Sequence, residues 1–81
     1  MKHDLKTWPE EFKAIRDGIK TAEWRIDDRG FSIGDNLFFR EWDWKEEQHT
    51  GQWECATVTH IVRGPRFGIP CGYVMMSIKK I

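Results

Sequence analysis

Lys20, Thr21, Glu23 and Arg25 lie together in the stretch Gly18-Ile19-Lys20-Thr21-Ala22-Glu23-Trp24-Arg25. A lysine offers a point charge, and an arginine offers a flat fork that takes phosphate or a base edge in two places at once. If burial pulled the lysine down, Lys20 and Glu23 could also exchange protons with a substrate. The same residues would equally make an exposed ion pair worth about 0–1 kcal/mol. Lys6, Arg63 and Arg66 are further candidate phosphate contacts, or plain solubilising cations. Tyr73, Trp42, Trp44 and Trp53 are candidates to stack on bases. With five Trp in 81 residues, one or at most two are expected to face solvent. His3 and His60 are of acid–base type, but nothing in the sequence brings them to Lys20.

These side chains need elements to hold them. Gly18 reads as the left-handed stop of a helix over about Pro9–Asp17. Thr7-Trp8-Pro9-Glu10 has the form of a capping box, with Pro9 in the first turn. Trp8, Phe12, Ile15 and Ile19 recur at helical spacing and predict a core-facing stripe. Beyond Gly18 the residues alternate. Ala22, Trp24 and Ile26 are expected to face the core, with Thr21, Glu23 and Arg25 on the opposite side. Lys2–Thr7 reads as a short strand. Asp27–Gly30 and Gly34-Asp35 read as turns. Asn36–Trp44 reads as a strand whose run Leu37-Phe38-Phe39 suits cover on both faces. Lys45–Gly51 is a polar hairpin loop, Gln52–Val62 a Val- and Thr-rich strand, Gly64–Pro70 a breaker-rich loop, and Tyr73–Ile78 a last strand. One helix and about five strands in this order predict an α+β fold. The expected form is a small, mixed, strongly curved five-stranded β-barrel with the N-terminal helix plugging one end.

Length and composition narrow the possibilities. The chain is expected to form a single domain, residues 1–81, with a thin core. Hydrophobic residues make up 40% and charged residues 32%, as in a folded soluble protein. No apolar run approaches the ~20 residues that span a membrane, and no signal-peptide core opens the chain. The cytoplasm is the expected compartment. Cys55 and Cys71 have neither disulfide-framework nor zinc spacing. Asp27, Asp28 and Asp35 sit at turns, where carboxylates cap backbone N–H groups, so no metal and no cofactor is expected. Net charge is zero, yet residues 56–81 carry Arg63, Arg66, Lys79 and Lys80 and no acid. A neutral chain does not coat polyanions at random; any nucleic-acid contact would need a local basic face.

Gly18-x-Lys20-Thr21-x-Glu23-x-Arg25, followed by Phe31-x-x-Gly34-Asp35-x-Leu37, resembles the motif of ASCH domains, small barrels of the PUA-like superfamily. The likeness runs from about His3 to Ile78 and is greatest to a short bacterial and phage subfamily of unassigned function. It implies a ligand cleft between the helix, the barrel wall and the Gly64–Pro70 loop, with Lys20 and Arg25 as anion contacts. Some ASCH enzymes hydrolyse an amide on acylated pyrimidine nucleosides with a Lys, a Thr and a Glu. Lys20 matches that Lys. The Thr three residues beyond it is here Glu23, so the activity does not carry over. Another relative is thought to cleave single-stranded RNA.

The leading expectation is therefore a monomeric domain that binds RNA or a nucleotide-like small molecule around Lys6, Lys20, Thr21, Glu23, Arg25, Arg63, Arg66 and Tyr73. A small hydrolase using Lys20 and Glu23 is the first alternative. An accessory protein-interaction module exposing Trp42 and Trp44 is the second.

Overall fold

A computed structural model describes residues 1–81. Its elements are β1 (Lys2–Thr7), α1 (Pro9–Arg16), β2 (Ala22–Ile26), β3 (Asn36–Asp43), β4 (Gln48–Arg63) and β5 (Tyr73–Lys80). The strands form one mixed sheet in the order β1-β3-β4-β5-β2, curled into a half-barrel. Only β1 and β3 run parallel; the other three ladders are antiparallel. The two strands nearest the N-terminus, β1 and β2, thus end up as the two outer edges.

Side-chain alternation divides the sheet into two faces. Leu5, Leu37, Phe39, Ala56, Val58, Val74, Met76 and Ile78 point inward, where Phe12 and Ile15 of α1 and Phe31 of the β2–β3 connection complete the core. Each large apolar side chain removed from water there contributes roughly 1.5–3 kcal/mol. The opposite face has no helix upon it. The expected five-stranded α+β architecture with a single helix is therefore found.

Local details differ from the sequence reading. Thr7 is the last residue of β1, and its hydroxyl donates back to the Leu5 carbonyl at 3.0 Å. It is unavailable as a cap, and no side chain caps the helix at Trp8. Phe12 and Ile15 are buried, but Trp8 is 59% and Ile19 77% exposed. An eight-residue helix on a curled sheet has only its middle turn over the core. Gly18 does end the helix, at φ +74°. The chain then wraps so tightly that the Ile19 and Lys20 amides both donate to Ala14 O, at 2.9 and 3.0 Å.

The strand β2 is inverted relative to expectation. Glu23 is buried, whereas Ala22, Trp24 and Ile26 are exposed. Because side chains alternate with a period of two, one choice of parity reverses every residue of a strand. Four tryptophans, Trp8, Trp24, Trp44 and Trp53, face solvent rather than one or two. Phe12, Phe31 and Phe39 fill the core instead. Finally, β4 starts at Gln48, so the hairpin shrinks to a turn around Trp44–Glu47, and Trp44 leaves the strand.

Candidate functional site

Glu23 is the centre of a charged cleft. Its side chain is 8% exposed, and both oxygens are engaged. Oε1 lies 3.1 Å from Lys20 Nζ, and Oε2 accepts from Arg25 Nη1 at 3.0 Å. Lys20 reaches the other way to Glu11 Oε1 on α1, at 2.8 Å. The tight wrap after Gly18 sets this up, because it pins the Lys20 backbone one turn beyond Glu11. Every buried side-chain N or O has a partner, so the inward turn of Glu23 leaves no orphaned charge.

Around this cluster lies an open cleft of about 300 Å³. Lys6 and Thr7 wall it from β1, Trp8 and Glu11 from the start of α1, and Glu23 to Ile26 from β2. It thus occupies the seam between the two free edges of the sheet. Farther along, that seam is crossed by the β2–β3 connection, whose Arg29 donates to Asp4 O at 2.6 Å.

The β2 edge is itself a polar surface. Ile78 N–H donates to Thr21 O at 3.0 Å, and Asp27 N–H to Gly72 O at 2.7 Å. Antiparallel ladders alternate, so odd-numbered residues from Thr21 to Asp27 bond to β5. The N–H and C=O of Ala22, Trp24 and Ile26 point away from β5, toward the seam.

Burial alone would pull the Lys20 ammonium down. Its hydrogen bonds to Glu11 and Glu23, with their charges, outweigh that and hold it above the ordinary lysine value. Lys20 is a fixed cation at neutral pH, which corrects the idea that burial frees it as a base. With Lys6, Lys20 and Arg25 against Glu11 and Glu23, the cleft carries one excess positive charge.

The cleft brings together four of the expected residues: Lys6, Lys20, Glu23 and Arg25. Thr21 lies beside them but is exposed, and its carbonyl is used by Ile78. Tyr73 pairs with Ile26 in the sheet and packs near the Trp24 ring at 6.1 Å. Arg63 ties down the β2–β3 connection, donating to Asp27 Oδ2 and Phe31 O at 2.5 Å each. Arg66 stays in its loop over the Phe67 ring, 4.6 Å from the centroid. No residue of Gly64–Pro70 lines the cleft; β1 and the start of α1 stand there instead. Asp27 and Asp35 accept the Phe31 and Ser32 amides, as turn carboxylates do.

Sequence reasoning missed Thr7, Trp8, Glu11, Trp24 and Ile26. The apolar pattern points Trp8 and Trp24 inward, away from the cleft. The signal for Glu11 was available: it stands nine residues before Lys20, across a helix end whose glycine turns the chain back.

A small α+β half-barrel with a cationic cleft at its open seam is the class of protein defined by this fold. The chain belongs to the family described as a domain of unknown function (DUF3850), which it matches over residues 2–78. No curated protein matches the chain.

Proposed function

We propose that the seam cleft binds a nucleotide-like anion, free or as part of an RNA strand. One observation carries this reading: buried Glu23 holds Lys20 and Arg25 abreast, pointing two preset cations at one small hollow. Lys20 uses two of its three donors, and Arg25 uses one of five. The spare donors suit phosphate oxygens. The solvent-facing rings of Trp8 and Trp24 flank them and offer stacking surface for a base. The volume is at the lower end for small-molecule sites, enough for one nucleotide. The motif's resemblance to ASCH domains of the PUA-like superfamily supports the same site and a cytoplasmic setting. Free thiols at Cys55 and Cys71 fit that setting.

The alternative in which Lys20 acts as a base is less well supported, because two carboxylates hold its ammonium charged. The test is NMR shift mapping with nucleoside monophosphates and short RNAs. Shifts should gather on Lys6, Trp8 and Lys20–Ile26, affinity should fall with added salt, and Arg25→Ala should lose it about ten-fold or more. Shifts that avoid these residues, or no binding at all, would end the proposal.

A further inference from the structure

The sheet face turned away from α1 carries a repeated arrangement that meets the cleft only at Lys6. Lys2 of β1 stands over the Phe38 ring of β3, 4.6 Å from its centroid, and Phe38 packs on Trp53 of β4 at 5.6 Å. Four residues further along β1 and β3, Lys6 stands over Trp42 at 3.9 Å, and Trp42 meets the His49 ring of β4 at 5.0 Å. The same order recurs: lysine on β1, aromatic on β3, ring on β4. Its second occurrence depends on the irregularity in the β3–β4 ladder between Arg40 and Trp42, which brings His49 level with Trp42. Between the two units, Arg40 Nε pairs with Asp4 Oδ1 at 2.9 Å, so the only acid there is neutralised. Neither lysine has a carboxylate partner.

We propose that this face is a two-slot platform for single-stranded nucleic acid. Four residues of strand separate the slots by about 13 Å, a distance an extended strand covers in a few nucleotides. Trp53 packs on Phe38 yet stays 52% exposed, so much of its ring is open to solvent. Bases stack on such rings without regard to sequence, while the lysines shift from ring face to phosphate. The net charge of the two units, with Arg40 and Asp4 cancelling, is positive, which suits a polyanion and disfavours an acid-free apolar partner. Lys6 also borders the cleft, so the decisive variants lie at Lys2, Phe38 and Trp53, which do not.

The experiment is fluorescence anisotropy with a labelled 12-nucleotide oligouridylate on the full chain, at several salt concentrations. Trp53→Ala and Phe38→Ala should each weaken binding at least about five-fold. Lys2→Ala should weaken it and flatten the salt dependence by a little under one unit of slope. Lys13→Ala, an exposed cation of α1 on the other side of the sheet, should change neither. Thermal melts of each variant report folding. Three results would overturn the proposal: no oligonucleotide binding by the parent protein, equal losses in Lys13→Ala and Lys2→Ala, or Trp53→Ala changing only the sedimented mass, which would mark the face as a contact between copies of the chain.

Discussion

Glu23 and Arg25, two residues apart on β2, meet at 3.0 Å on the core side of the sheet, with Lys20 against the other carboxylate oxygen at 3.1 Å. A carboxylate so placed costs desolvation and returns it only through its partners. Glu23→Ala would leave two cations side by side with nothing between them. Since both cations are partly solvated, the expected loss is about 1–3 kcal/mol, below that of a fully buried pair. In a domain of this size each kcal/mol lowers the melting temperature by roughly 4–8 °C. Mononucleotide affinity should fall as well, despite the more positive cleft, because the cations lose their setting. Tighter binding by Glu23→Ala or Glu23→Gln would show that the carboxylate merely opposes the ligand.

Asp35 answers to acid. The hydrogen bond from His3 Nε2 to Oδ2 at 2.8 Å holds its carboxyl below the usual 3.8, at about 2, against burial that pushes it up; the Ser32 amide adds to the lowering. The unfolded chain therefore takes up this proton first as pH falls. The stabilisation is complete above about pH 4 and disappears between about 4 and 2. Asp35→Asn should cost on the order of 1–2 kcal/mol at neutral pH. Melting curves of parent and variant should converge toward pH 2. A constant gap down to pH 2 would mean that Asp35 acts by shape and not by charge.

The loop after β4 depends on Gly64 for space. A Cβ on Gly64 would lie 1.8 Å from the Pro70 carbonyl oxygen, and backbone cannot step aside as a side chain can. Gly64→Ala should cost about 1–3 kcal/mol and displace the Gly64–Pro70 loop. Gly18→Ala makes the useful comparison: its φ of +74° is strained for alanine, but nothing lies within 4 Å. That variant should lose about 1 kcal/mol and leave the loop's amide resonances in place. If both variants behave alike, close approach is not what Gly64 provides.

Gly18 and Gly64 also differ in how plainly the sequence announces their roles. Gly18 was legible as a helix stop because only a local rule was involved. Strand positions followed from apolar and β-branched runs, and the five-strand α+β fold followed from their order. What failed was orientation. Trp24 and Ile26 look like the inward residues of β2 until it is known that β2 is an edge whose inward Glu23 is partnered by Lys20 and Arg25. Trp8 looked like the first residue of a buried stripe until the helix proved too short to cover it. The cleft was half legible: Lys20, Glu23 and Arg25 are neighbours in sequence, whereas Lys6 and Trp8 join them only because β1 and β2 are the two unpaired edges.

Lys20 offers the sharpest separation between a binding site and a catalytic one. A lysine used as a general base must lose its proton near neutral pH. Here Glu11 and Glu23 outweigh burial and raise its pKa above 10.5. The folded state thus keeps a charge that the unfolded chain gives up sooner, and the associated stability persists below pH 10.5 and is lost only as pH rises through the higher folded value. Adenosine monophosphate is the suitable probe, since its phosphate is fully ionised above about pH 7 and its base carries no acidic N–H. Its affinity should stay flat from pH 7.5 to about 10, then fall as Lys20 discharges, with melting temperature followed in parallel. Lys20→Arg should keep most of the affinity, because an arginine remains charged throughout. A fall centred near pH 8, abolished in Lys20→Arg, would reveal a lysine poised to give up its proton, and would favour acid–base chemistry at this cleft over simple capture of an anion.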